Sequence, residues 1–146
     1  MQILVCVSTE KIPDFISWQI MRRLRYAGSH IFIVYQGRMY HSVERGVCHD
    51  DFTAFSADHH ITHQKEVSLN CTEEEFFAWF EKHQGIQYSN AQYFGFFFGF
   101  LKRFVRNYRK KAICSEFVAW VLTDLAGRIE FKDADFLSPK DVFELI

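Results

Sequence analysis

The chain is 146 residues long, 49% hydrophobic and 18% aromatic, with a formal net charge of −1. That length suits one domain with a core of its own. The composition excludes a disordered, collagenous or globally basic nucleic-acid-binding chain. Four cysteines (Cys6, Cys48, Cys71, Cys114) show no CxxC spacing, which sets aside zinc ribbons and dithiol redox motifs.

The alternation in Gln2–Val7 predicts a strand. A helix follows from Pro13, with Phe15, Trp18, Ile20, Met21 and Leu24 at helical spacing, arginines near its end and a stop at Gly28. Ser29–Tyr35 and Met39–Glu44 form the clearest β pattern, a hairpin around Gly37. Asp50–Ala57 is expected as a short helix or turn, and Ile61–Leu69 as a third strand.

Thr72-Glu-Glu-Glu75 writes a capping box for a helix ending near Gly85. Ser89 or Asn90 would cap a helix containing Tyr93–Val105. Ala112–Leu125 is a strongly apolar helix beginning at or just before Cys114 and closed by Gly127. Ser138-Pro139 opens the last one. Phe15, Trp18, Phe76, Phe77, Trp79, Phe117 and Trp120 fall at core spacing. With no repeat and no linker, the fold class expected is α+β in one domain spanning 1–146.

Cys114 is the residue most suggestive of chemistry. A thiol at a helix N-terminus feels unpaired amides and the positive end of the dipole, both of which favour the thiolate. Cys6, Cys48 and Cys71 lack such a position and are expected to pack quietly. A thiol nucleophile needs a base, and His30 stands out because it opens an apolar strand just after a turn.

Parity tests a partner for it. If Gln36 and Gly37 form a two-residue loop, Tyr35 pairs with Arg38, His41 opposes Phe32, and both imidazoles lie on one face. A one-residue change in loop length instead sets Glu44 opposite His30 and turns His41 away. His41 is therefore the candidate orienting residue and Glu44 the reserve. Tyr35 and Tyr88 are weak candidates for the second oxyanion donor, beside the Cys114 amide.

The stretch Ser29-His30 through Tyr40-His41 to Gly46-Val47, followed much later by Cys114-Ser-Glu-Phe-Val, resembles the circularly permuted NlpC-type papain-like enzymes. These include the YiiX/YebB-like group and, more distantly, the lecithin:retinol acyltransferase-like group. Gly85-Ile-Gln-Tyr88 resembles their Gly-x-x-Tyr element and Phe136-Leu-Ser-Pro139 their closing segment. The resemblance covers most of residues 26–143 and rests on order and spacing.

It implies a small antiparallel sheet or partial barrel packed against helices, with 1–28 as an N-terminal strand and helix and 29–146 as the permuted catalytic core. It further implies Cys114 as nucleophile, His30 as general base and His41 as third member. The activity would be that of a peptidase, amidase, thioesterase or acyltransferase on a peptide, a peptidoglycan fragment or an acyl-lipid. No cofactor is expected.

The alternative is a non-catalytic binding module or a membrane-surface protein on the same scaffold. The run Lys102–Lys111 places six cations in ten positions behind the apolar stretch Tyr93–Leu101, a pattern that fits an anionic partner or a lipid surface. No clear nucleic-acid signature, export signal or transmembrane run is written, so a cytoplasmic protein is expected. His59-His60-x-x-His63 lacks four placed ligands, so no metal site is expected.

Overall fold

A computed structural model describes residues 1–12, 15–88, 111–131 and 137–146. The predicted helix over Tyr93–Val105, nearly all of the Lys102–Lys111 run, and Phe136 lie outside the described residues. A five-stranded antiparallel sheet in the order β4-β3-β2-β1-β5 organises the rest. Its strands are β1 (Gln2–Glu10), β2 (His30–Tyr35), β3 (Arg38–Val43), β4 (Gly46–Asp51) and β5 (His59–Ser68). A short parallel pair, β6 (Gln87–Tyr88) and β7 (Lys111–Ala112), forms a separate ladder beside β3 and β4, where Ser42 Oγ donates to the Ala112 carbonyl at 2.8 Å.

Among the described residues, five α-helices accompany the strands: α1 (Phe15–Leu24), α2 (Phe52–Asp58), α3 (Glu73–His83), α4 (Cys114–Ala126) and α5 (Pro139–Leu145). The class is α+β, and no helix among the described residues is long and apolar enough to cross a membrane.

The turn between β2 and β3 sets the register on which the site depends. Gln36 and Gly37 both take positive φ, 49° and 75°, the conformation of a type I′ turn, whose twist matches that of its flanking strands. Tyr35 pairs with Arg38, Val34 with Met39 and Ile33 with Tyr40. This is the two-residue loop of the sequence reading. β4 was not anticipated. The Val43↔Gly46 pair closes a second tight turn at Glu44-Arg45, so residues 46–51 continue the sheet before α2 begins. Asp51 caps α2, its side chain accepting from the Ala54 amide at 2.7 Å.

Side-chain alternation gives the sheet two different faces. Ile3, Val5, Val7, Ile31, Ile33, Tyr40 and Val47 point to one side and pack with Phe76 and Phe80 of α3 and with α4. Every residue of α4 from Cys114 to Leu122 is buried. Each large apolar side chain enclosed there contributes about 1.5–3 kcal/mol. Phe32, Met39 and Cys6 face the other way and pack with Phe52 and Phe55 of α2.

Helix ends follow their sequence signals. Thr72 Oγ1 accepts from the Glu75 amide at 3.2 Å, and Glu75 returns a bond to the Thr72 amide at 2.8 Å. Ser138 and Asp141 exchange the same pair of bonds at the start of α5. Gly127 ends α4 in the left-handed conformation, with φ 69°.

The N-terminal helix departs from its predicted role. Phe15 is 72% exposed and Trp18 44% exposed, so neither is a core residue. The two rings pack on each other, and the Arg22 guanidinium lies over Trp18, 5.2 Å from its centroid. Helical spacing identifies the stripe but not what covers it. α1 ends at Leu24, and Gly28 instead packs against β1, where a Cβ would come within 2.2 Å of Val7 Cγ1.

Candidate active site

The paired hairpins build a chain of three side chains. β2 and β3 place the rings of His30 and His41 on the α2-facing side, with His30 Nε2 and His41 Nδ1 3.1 Å apart. Across the next ladder His41 pairs with Cys48, which puts Asp50, two residues on, on the same face. His41 Nε2 lies 2.9 Å from Asp50 Oδ2.

The protons in this chain are fixed by its acidic end. An ionised carboxylate only accepts, so His41 Nε2 carries the proton it donates to Asp50. His41 Nδ1 is then an acceptor, and His30 Nε2–H donates to it. His30 Nδ1 is left with a lone pair, as the ring nitrogen of the chain not engaged by His41.

The electrostatics favour a neutral pair of rings. Burial first, then the charges of His41 and His59, push the His30 imidazole from 6.5 down to about 3. His30 stacks on Phe32, and its ring also meets Phe55 of α2. His41, only 3% exposed, is lowered by burial, partly offset by its bond to Asp50. Burial would raise Asp50, but hydrogen bonds from Arg45 and His41 and their charges hold it below its ordinary value.

Cys114 is the first residue of α4, as expected, yet its thiol differs from the expectation. Burial pushes it from 9.0 up to about 11. Hydrogen bonds from the amides of Ile31, Ser115 and Cys114 itself lower it, and the Glu116 carboxylate raises it. Desolvation therefore outweighs the helix terminus, and the resting group is a thiol. Glu116, buried in the first turn, accepts from the Ile113 amide at 3.1 Å and satisfies that end of the helix.

The sulfur and the imidazole approach β2 from its two sides. Cys114 packs in the α4-facing core with Ile31, whereas the His30 ring belongs to the α2-facing cluster. The Ile31 amide, next along β2 from His30, is among the groups that lower the Cys114 thiol. No hydrogen bond links Cys114 to His30. The structure thus brings His30 and His41 together and places Cys114 on the other side of β2.

The remaining predicted site residues divide. Tyr88 pairs with Ala112, two residues ahead of Cys114. Tyr35 lies at the far end of β2 and donates to Glu73 Oε2 at 2.8 Å, so its hydroxyl is committed away from the thiol. Glu44 is exposed in the β3–β4 turn, outside the ladder that carries His41. His41 holds the place beside His30 for which Glu44 was the reserve, and Asp50 adds a further member behind His41. The signal missed was the turn at Glu44-Arg45-Gly46 ahead of Val-Cys-His-Asp, which makes Asp50 a strand residue rather than the start of a helix.

His59 stacks on Phe55, and His63 stacks on Tyr26. Among the described residues, the one group able to offer three metal donors is His41, Cys48 and Asp50, whose ligand atoms all lie within 4.8 Å of one another. In comparisons with known proteins, no family model matches the chain, and no curated protein or solved structure shows significant similarity to it.

Proposed function

We propose that the chain is a cysteine-dependent hydrolase or acyltransferase of permuted papain-like organisation, acting in the cytoplasm on an amide, ester or thioester of a peptide, a peptidoglycan fragment or an acyl-lipid. The observation that carries this reading is the Asp50–His41–His30 chain, which leaves His30 Nδ1 not engaged by His41, together with Cys114 at the start of α4. Nucleophilic catalysis needs a base oriented by a third group within reach of the thiol, so on this reading the His30 ring and the Cys114 sulfur would have to meet past the edge of β2.

The resting state would be thiol and neutral imidazole, so the proton moves during attack. His30 Nδ1 takes the Sγ proton as sulfur bonds to the substrate carbonyl carbon. The Cys114 amide then donates to the oxyanion. The His30 proton leaves with the departing amine, alcohol or thiol, and a thioester remains on Cys114. Water, deprotonated by the same Nδ1, hydrolyses the thioester, or an acceptor nucleophile displaces the acyl group.

p-Nitrophenyl esters from acetate to octanoate test this directly. The expected result is one acyl adduct per chain, mapped by mass spectrometry to Cys114 and lost in Cys114→Ala and His30→Ala. An adduct elsewhere, or equal ester cleavage by Cys114→Ala, would overturn it. A second reading, a non-catalytic binding module for an anionic or lipid partner, is favoured by the lack of a hydrogen bond between Cys114 and His30. It predicts no adduct at all.

A further inference from the structure

The second turn of the sheet gathers a donor set that the hydrolase reading uses only in part. His41 and Cys48 face each other directly across β3 and β4, and Asp50 follows two residues along the same strand. This brings an imidazole nitrogen, a thiol sulfur and a carboxylate oxygen onto one patch within 4.8 Å. At present the positive charge there comes from Arg45, which hydrogen-bonds Asp50 and whose charge works against the burial that raises the Cys48 thiol. That arginine is 60% exposed and can swing into solvent.

We propose that His41 Nε2, Cys48 Sγ and an Asp50 oxygen form a binding site for a zinc-class divalent ion. Nitrogen, sulfur and oxygen donors at about 2.0–2.3 Å are the mixed set that zinc accepts. Ligands around a tetrahedral ion stand roughly 3.5 Å apart, so the widest separation closes by up to about 1 Å while the His41–Asp50 pair, now at 2.9 Å, opens by about 0.5 Å. Water takes the fourth position. Calcium and magnesium, which prefer all-oxygen shells, are poorly matched.

Occupancy has a consequence one bond further in. The ion requires the Nε2 lone pair of His41, so the ring proton must sit on Nδ1. His41 then donates to His30 Nε2 instead of accepting from it, and the proton of His30 moves to Nδ1. Each imidazole keeps one proton, and the proton released to solvent is that of the Cys48 thiol. With Nδ1 protonated, His30 has no lone pair for Cys114. Zinc therefore switches the base off, and this last effect alone rests on the hydrolase reading.

Titrating the whole chain with zinc against a chromophoric chelator tests the site without any activity. One ion per chain is expected, with affinity falling at least about 100-fold in Cys48→Ser. Replacing His59, His60 and His63 together with Ala should leave it unchanged. Cobalt(II) should show a thiolate charge-transfer band in the native chain, a measurement independent of how the variants fold. Nitrogen NMR should show His41 Nε2 losing its proton when zinc is added. Unchanged affinity in Cys48→Ser, loss in the triple variant, no thiolate band or a retained Nε2 proton would each overturn the site. If zinc binds as described and no ester is cleaved, the hydrolase reading falls and the metal site stands.

Discussion

Asp50 Oδ2 accepts from His41 Nε2 at 2.9 Å, and that one bond dictates which nitrogen of His30 carries a hydrogen. Asp50→Asn keeps the shape of the carboxylate but can offer an N–H to His41 Nε2, reversing the chain. If the chain catalyses ester cleavage, kcat should fall about 10²–10⁴-fold in Asp50→Asn. Asp50→Ala, which imposes no wrong tautomer, should lose less. The pH–rate profile should move in both, a change that a purely structural role for Asp50 would not produce.

Cys114 should be a slow thiol at neutral pH despite its position at a helix start. With the group at about 11, alkylation by iodoacetamide should lag behind that of the half-buried Cys71 and climb close to tenfold per pH unit through the alkaline range. Mass spectrometry of quenched time points reads this site by site. A rate already at its plateau near pH 6 would instead reveal a preformed thiolate.

Stability should decline on the acid side. His30 sits at about 3 in the fold against 6.5 when free, so between those values the unfolded chain takes up a proton that the folded one refuses. The contribution is complete above pH 6.5 and is lost as pH falls toward 3, by at most about 1.4 kcal/mol per unit. His41, lowered in the same direction, adds to the slope. Urea midpoints at pH 7.5, 6 and 5 measure it, and His30→Phe should flatten the decline.

Tyr35→Phe separates fold from chemistry. The hydroxyl ties the hairpin tip to Glu73 at the start of α3, at the opposite end of β2 from His30. Its loss should cost about 0.5–1.5 kcal/mol in urea unfolding and leave ester cleavage, if present, untouched.

Gly28→Ala should be costly although the residue is in a loop. Its added methyl would meet Val7 Cγ1 at 2.2 Å in the fully packed core beside β1. Overpacking of this kind costs about 1–3 kcal/mol, and a change in urea midpoint under a third of that would show the strands yielding.

Much of this architecture is legible in the residues, for identifiable reasons. The Thr72 and Ser138 caps act through neighbours three positions away, so local sequence carries them. The His30–His41 contact follows once Gln36-Gly37 is given two residues, because parity does the rest. What escaped was information held between segments. Asp50 reaches His41 only through the β3–β4 ladder, and a helical reading of Asp50–Ala57 concealed that strand. The state of the Cys114 thiol depends on how deeply α4 is buried against the sheet, which its position in the chain does not reveal. Phe15 and Trp18 show the same limit from the other side, since spacing cannot say whether a stripe finds a partner.

β4 is an outermost strand of the sheet, bonded on one side to β3; on the other, among the described residues, Val47 donates to the Ile86 carbonyl at 2.9 Å and accepts from the Gly85 amide at 2.8 Å. A strand with a single full ladder has compliance that the central strands lack, because shifting it strains one row of hydrogen bonds instead of two. Cys48 and Asp50 therefore ride on an edge strand of the sheet, while His30 is anchored on its central strand. Any ion or partner that draws β4 inward by an ångström acts on the imidazoles at little cost to the fold, so sensitivity to what binds this rim is built into the order of the strands.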